Sequence, residues 1–376
     1  MIRVLMVFGT RPEAIKLCPV YHCLARHDSF DVKVCVTAQH RAMLDQVLEA
    51  FQVRPHYDLD VMAPRQTLAQ TTARILAALE GVLDAETPDL VLVQGDTTTT
   101  MAAAMAAFYG QVRVGHVEAG LRTGDMWQPF PEEMNRVVTS RLASLHFAPT
   151  ERAARNLREE GVAPERIHIT GNTGIDAVLH VSAELAAGRL RGRDWGELDA
   201  GCKLVVVTAH RRESFGEGFE RICDALERLA CRPGLQIVYP VHRNPNVLEP
   251  VTARLSRHPN VLLLEPLDYV SFVGLMSRAW LLLTDSGGIQ EEGPSLGKPI
   301  LVMRDKTERP EAVEAGTVML VGTDPDRIVA ETVRLLDDSE AYRRMQRVHN
   351  PYGDGHASQR IASAIREFCA VPRVTV

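Results

Sequence analysis

The sequence predicts two doubly wound α/β domains in tandem, and three observations carry that prediction. Short apolar, β-branched runs alternate with helix-patterned segments almost from end to end. The runs lack polar alternation, as strands do when helices cover both faces of a parallel sheet. They also fall into two series, separated by a helical stretch, "TGIDAVLHVSAELAAG", and the polar, aperiodic "RLRGRDWGELDAGC", which reads as a linker.

Taken in order, the first series of strands is "IRVLMVF", "VKVCVT", "LVLVQG", "VRVGHVE", "LHFAPT" and "IHITGN". The second is "KLVVVTAH", "LQIVYPVH", "NVLLLEP", "WLLLTDS", "PILVMR" and "TVMLVG". Each has the length and the Val, Ile and Leu content of a buried strand. Helix starts punctuate them. Pro12 in "VFGTRPEAIK" suits a first helical position. Asp96 and the threonines of "VQGDTTTTMAAAMAA" are good caps for the alanine-rich segment behind them. The final "HNPYGDGHASQRIASAIREFC" begins with turn residues and ends as an amphipathic helix. No strand follows it, so it is expected to pack back across the domain boundary.

Composition narrows the classes. A chain of 376 residues with 45% hydrophobic and 24% charged residues has the balance of a globular protein of two or three domains. A net charge of −6 leaves no general footprint for nucleic acid or an anionic membrane. The seven cysteines are scattered and never spaced as CxxC, which argues for reduced thiols in a cytoplasmic enzyme rather than a disulfide framework or zinc site. The first apolar run ends at Gly9, too short for a signal peptide, and no later run approaches membrane-spanning length.

Chemistry-bearing residues gather where strands end, and doubly wound sheets bind ligands at the carboxyl ends of strands. In "TDSGGIQEEGP", Ser286, Gly287 and Gly288 open a helix whose bare N–H groups suit a phosphate. Glu291 and Glu292 follow within a turn. A nucleoside diphosphate would use both features, its phosphates on the amides and its ribose hydroxyls on a carboxylate. Arg11 and Lys16 place two cations after the first strand; surface charge is the bland alternative, and the strand-to-helix position favours a functional reading over it. No Walker A or GxGxxG pattern occurs at that turn, which argues against a dinucleotide.

Asp96, then His116 and Glu118 in "GHVEAGLRTGD", then Glu132 and Glu133 in "PFPEEMNR" supply acids at strand ends or in the loops behind them. Each has a structural alternative: helix capping for Asp96, dipole complement for Glu132 and Glu133. Together they lie on one expected sheet edge, where neighbouring carboxylates push their pKa values apart and serve proton transfer. His210, Arg211 and Arg212 end a strand of the second series in a glycine-containing loop suited to an anion, and His242 ends the next. Neither histidine has a Cys or His partner at metal-ligand spacing, so no metal site is expected. Arg309 stands before Pro310 at another strand-to-helix junction.

These residues make the chain resemble the bacterial non-hydrolysing UDP-N-acetylglucosamine 2-epimerases. The matching stretches include "GTRPEAIK", "TAQHRAMLDQV", "VQGDTTTT", "GHVEAGLRTGD", "PEEMNR", "APTERAARNLREEGV", "ITGNTGIDA", "AHRRESFGEG", "PVHRNPNV", "TDSGGIQEEGPSLGKPILVMRDKTERPEA" and "HNPYGDGHASQRI", in order from first strand to last helix. The resemblance implies a GT-B fold: two Rossmann-like domains, 1–170 with 356–376 crossing back and 171–355, with the active site in the cleft between them. It implies a homodimer and reversible epimerisation at carbon 2 without a cofactor, through loss of UDP to 2-acetamidoglucal and its return. Asp96, Glu118 and Glu132 would be the acids of that chemistry, with His210 near the diphosphate. Arg11, Lys16, Ser286, Gly287, Gly288, Glu292 and Arg309 match UDP-contacting positions, and Phe272 one near the uracil. Gln39, Arg65, Glu133, Arg211 and His242 match an effector site for a second UDP-N-acetylglucosamine, although Ala42 stands where some members carry a polar effector contact.

Four rivals share parts of this pattern. An epimerase for a UDP-2,3-diacetamido uronic acid generally opens with "GARPQ" rather than the "GTRPE" found here. A GT-B glycosyltransferase, or a nucleotide-sugar-binding module without catalysis, leaves three clustered acids unexplained. A hydrolysing epimerase is disfavoured by the motif match alone.

Overall fold

The computed structural model describes residues 1–38, 41–63, 65–346 and 350–370. The chain divides into two compact units, Met1–Ala177 together with the chain from Gly353 onward, and Val178–Tyr352.

The first unit runs β1 (Ile2–Phe8), α1 (Arg11–Ala25), β2 (Phe30–Val36), α2 (Arg41–Ala50), β3 (Tyr57–Asp58), α3 (Leu68–Glu86), β4 (Leu90–Gln94), α4 (Thr98–Tyr109), β5 (Arg113–Val117), α5 (Glu132–Leu142), β6 (Leu145–Ala148), α6 (Glu151–Glu159) and β7 (Ile167–Ile169). Among the described residues its sheet has the order β3-β2-β1-β4-β5-β6-β7, and every pairing is parallel. Each apolar run expected to be a strand forms one. The addition is β3, whose two residues are too short to carry a periodic signal.

α7 (Thr173–Ala186) takes the chain into the second unit. There follow β8 (Lys203–Thr208), α8 (Glu217–Ala230), β9 (Leu235–Pro240), α9 (Pro245–Leu255), β10 (Val261–Leu264), α10 (Tyr269–Arg278), β11 (Leu281–Thr284), α11 (Gly287–Glu292), β12 (Ile300–Val302), α12 (Pro310–Ala315), β13 (Val318–Leu320), α13 (Pro325–Asp337) and α14 (Ser339–Gln346). Their sheet, again parallel, has the order β10-β9-β8-β11-β12-β13 among the described residues. The last helix, α15 (Ala357–Ala370), belongs to the first unit and packs against α1.

The stretch 189–202 differs from its reading as a linker. It has no helix or strand, but it is fastened to its own unit: Trp195 is buried, the Arg193 N–H donates to Ser271 Oγ at 2.9 Å, and Gln236 bonds the backbone at Glu197 and Asp199. One apolar anchor in a polar segment outweighs its lack of periodicity.

Strands without polar alternation follow from burial on both faces, and all five residues of β4 are buried. Ala102, Ala103, Ala106 and Ala107 let α4 approach α3 and the sheet closely, in a core with Leu5, Val7, Ile75 and Leu79. The sheet order reverses between β1 and β4 in the first unit and between β8 and β11 in the second. The turns after these strands diverge there and leave a crevice for ligands. No helix among the described residues is long and apolar enough to cross a membrane.

Candidate active site

In the first unit the turns after β1, β4 and β5 bring acids and cations together. Lys16, one turn into α1, donates from Nζ to Glu118 Oε1 at 2.5 Å and Oε2 at 2.7 Å, and Gln94 at the end of β4 donates to the same carboxylate. Glu118 sits just past β5 with φ of 63°, a left-handed conformation that few non-glycine residues adopt. Such strain persists only where surrounding contacts fix it, and these two donors do so.

Asp96 follows β4 and pairs with Arg136 Nη2 of α5 at 2.9 Å. Burial pushes its carboxyl above the ordinary value. Arg136 and Lys16 oppose that rise, while Glu118 and Glu132 add to it. Asp96 therefore feels the charge of both Glu118 and Glu132, the setting in which carboxylates can divide acid and base roles. Among the described residues no group of three His, Cys, Asp or Glu is placed to hold a metal ion.

Glu133, beside Glu132 in sequence, is buried and turned elsewhere. Its Oε1 accepts the N–H groups of Thr123 at 3.0 Å and Gly124 at 3.1 Å, and its Oε2 lies 3.4 Å from Arg136 Nε. His116 is fully buried on β5 and bonds the Gly95 carbonyl rather than joining the acids. The threonine run, too long for capping alone, also divides its work. Thr97 caps α4, Thr97 and Thr100 donate to Glu13, and Thr99 pairs with Thr37 at 2.9 Å. That packing explains Gly9, where a Cβ would stand 1.9 Å from Thr37 Oγ1.

In the second unit the turns after β8 and β11 meet over Asp285. This carboxylate is wholly buried, and its Oδ2 accepts the N–H groups of His210 at 2.6 Å and Arg211 at 2.7 Å. Its Oδ1 lies 3.4 Å from His210 Nδ1. The His210 ring stacks on His242, centroids 5.6 Å apart. Burial lowers the His210 pKa against the pull of Asp285, and His242 and Arg211 lower it further, so the imidazole stands neutral. Ser286 precedes α11 with its side chain off the cap. A Cβ on Gly287 would lie 3.8 Å from Arg211 Nη2 and 3.9 Å from the Arg309 guanidinium carbon. The start of α11 thus lies beside two guanidinium groups, at distances that are ordinary contacts even for a Cβ. Arg309 Nε is tied to the buried Glu291, which with Glu292 closes the helix.

Other expected residues lie further out. Arg11 opens α1, Phe272 is half-buried on α10, and Arg65 is exposed in a loop with φ of 60°. Gln39 and the Ala42 side chain lie outside the described residues. Sequence reasoning passed over Glu13, Gln94, Arg136 and Asp285. All four stand inside motifs it quoted, but their partners lie far along the chain.

The family described as UDP-N-acetylglucosamine 2-epimerase matches residues 22–366. The UDP-N-acetylglucosamine 2-epimerase of Escherichia coli strain K12 is 58% identical over 369 residues, covering 97% of this chain and 98% of the relative. The chain belongs to the UDP-N-acetylglucosamine 2-epimerase family. Solved members share its fold. The Neisseria meningitidis enzyme bound to UDP-GlcNAc has 48% identity and a TM-score of 0.87, with 97% of this chain and 100% of that one covered. S. aureus MnaA, in a co-structure with UDP, has 44% identity and a TM-score of 0.83, with 99% and 98% covered. Like those family members, this chain is an isomerase built on two parallel-sheet Rossmann-like domains.

Proposed function

We propose that the chain interconverts UDP-N-acetylglucosamine and UDP-N-acetylmannosamine by eliminating UDP and adding it back. One observation carries the reading: Asp96, Glu118 and Glu132 share an electrostatic neighbourhood with Lys16 and Arg136 at the first sheet's switch point. The carbon 2 hydrogen of the sugar is not acidic, since no carbonyl is attached to that carbon. It leaves as a proton to a carboxylate while the bond from carbon 1 to the diphosphate breaks. The C–H electron pair becomes the double bond of 2-acetamidoglucal, and UDP departs with the C–O pair. A second acid then protonates carbon 2 on the opposite face, and UDP re-adds at carbon 1.

The departing diphosphate gains charge. The Ser286–Gly288 amides, Arg11, Lys16 and Arg309 absorb it, with His210 alongside. Glu292 takes the ribose and Phe272 the uracil. A neutral His210 held on Asp285 becomes more basic as that anion forms, so it is suited to share a proton with it. The chain acts as a homodimer in the cytoplasm. The scattered cysteines, never spaced as CxxC, suit that compartment. Gln39, Arg65, Glu133, Arg211 and His242 receive a second UDP-N-acetylglucosamine as effector.

Incubation with UDP-N-acetylglucosamine in heavy water, followed by NMR, tests the mechanism. The expected product carries deuterium at carbon 2. Asp96→Asn, Glu118→Gln and Glu132→Gln each slow turnover by ~100-fold or more, retain UDP binding, and leak UDP with 2-acetamidoglucal. Product that keeps its original hydrogen at carbon 2 would falsify elimination.

A further inference from the structure

Glu13 has no part in the reaction described above, yet it is among the most thoroughly bonded side chains of the first unit. It is 1% exposed. Its Oε2 accepts the N–H groups of Gly9 at 3.1 Å and Thr10 at 2.8 Å and the Thr10 hydroxyl at 2.7 Å. Its Oε1 accepts the hydroxyls of Thr97 at 2.7 Å and Thr100 at 3.1 Å. The Oε2 bonds alone would make Glu13 a helix cap, since a glutamate three residues past the cap commonly reaches back to that N–H. A cap needs one oxygen. The other spans 84 and 87 residues to the turn on the far side of the switch point.

The two turns joined in this way carry different parts of the machinery. The turn after β1 begins α1, which bears Arg11 and Lys16, and Lys16 holds Glu118. The turn after β4 bears Asp96, whose neighbour in sequence is Thr97. A buried carboxylate is costly unless its lone pairs are satisfied, so five donors converging on one group make a stiff junction. The Thr37–Thr99 contact adds a separate cross-link, from the turn after β2 to α4.

We propose that Glu13 is a positioning residue for the proton chemistry, fixing Asp96 relative to the Lys16–Glu118 pair by holding the two turns in register. The inference rests on the roles proposed above for Asp96 and Glu118.

The test compares full-length wild type with Glu13→Gln, Thr97→Val and Thr97→Ser. Epimerisation is followed by NMR across pH, UDP affinity by calorimetry, and folding by circular dichroism. Glu13→Gln keeps the volume but faces hydroxyl and amide donors with an NH₂ group. Turnover is expected to fall ~10- to 100-fold, the scale for misplacing a reacting group by about an ångström, with UDP affinity unchanged. Thr97→Val moves turnover the same way, and Thr97→Ser, which keeps hydroxyl and cap, restores it.

The deciding readout is the pH profile. The limb that Asp96→Asn abolishes shifts to lower pH in Glu13→Gln, because a loosened turn exposes the half-buried Asp96 further and relieves the partial burial that raises it. The charged neighbours of Asp96 are Arg136 and Glu132 on α5, Glu118 after β5 and Lys16 on α1, and all keep their identity in the variant. Reduced turnover with an unmoved limb would make Glu13 a structural cap and overturn the proposal. Should Glu13→Gln fail to fold, Thr97→Val decides, and an unmoved limb there overturns it equally. Wild type that does not epimerise would sink the proposed function and this inference with it. That failure is read in the wild type, the other in the variants.

Discussion

His116 and His146 show how burial, rather than chemistry, accounts for some of the most perturbed side chains. Both are buried; burial pushes His116 down to about 3 and His146 to about 4. His116 Nε2 lies 2.7 Å from the Gly95 carbonyl, so its single proton sits on that nitrogen. The unfolded chain protonates such residues near pH 6.5 while the native state does not. Their stabilising effect is therefore complete above about pH 6.5 and declines as pH falls toward the folded values, by ~1.4 kcal/mol per pH unit for each. Urea denaturation between pH 7 and 4.5 should show this loss, and His116→Gln, which cannot titrate, should flatten it. An unaltered slope would remove His116 as a cause. At this scale the strand-end acids were legible because position alone marks them. Glu133 was not: nothing in "PEEMNR" tells which glutamate turns inward to bond Thr123 and Gly124.

Helix ends are where distant segments lock together. α15 begins at Ala357, and Asp176 on α7 accepts the N–H groups of Ala357 at 3.2 Å and Ser358 at 2.8 Å. A carboxylate at a helix start satisfies orphan amides and complements the dipole. The helix then lies against α1, the carrier of Arg11 and Lys16. Asp176→Ala should cost ~0.5–2 kcal/mol, the range for a lost cap. Amide exchange should speed up selectively in the first turns of α15, and exchange that rises evenly along the chain would mean that Asp176 does not act as a cap. The amphipathic last helix was readable from its pattern. Its cap was not, since donor and acceptor stand 181 and 182 residues apart.

Across the whole molecule, each unit places a residue assigned to the effector next to one assigned to catalysis. Glu133 contacts Arg136, which holds Asp96, and His242 stacks on His210. Occupying the proposed effector site would thus bear on catalytic groups through two contacts in the first unit and one in the second. The rate against UDP-N-acetylglucosamine is expected to be sigmoidal, and the reverse reaction to need a trace of that sugar nucleotide. Coupling of this kind is typically about 1–3 kcal/mol. Arg65→Ala, at an exposed loop position, should make the forward curve hyperbolic while sparing the maximal rate. Hyperbolic kinetics in the wild type would mean that Ala42 marks a lost effector site.

The two-sheet plan, the strands and the strand-end residues were determined by the sequence itself. Strands buried on both faces need unbroken apolar runs, and helix starts need caps, so both leave local patterns. Tertiary structure alone decided the partnerships: Lys16 with Glu118, Glu13 with Thr97 and Thr100, Asp285 beneath His210. These follow from sheet order, which sets β1 beside β4 and β8 beside β11. Local pattern encodes how deeply a residue is buried. Which distant turn stands next to it is settled only when the strands pair.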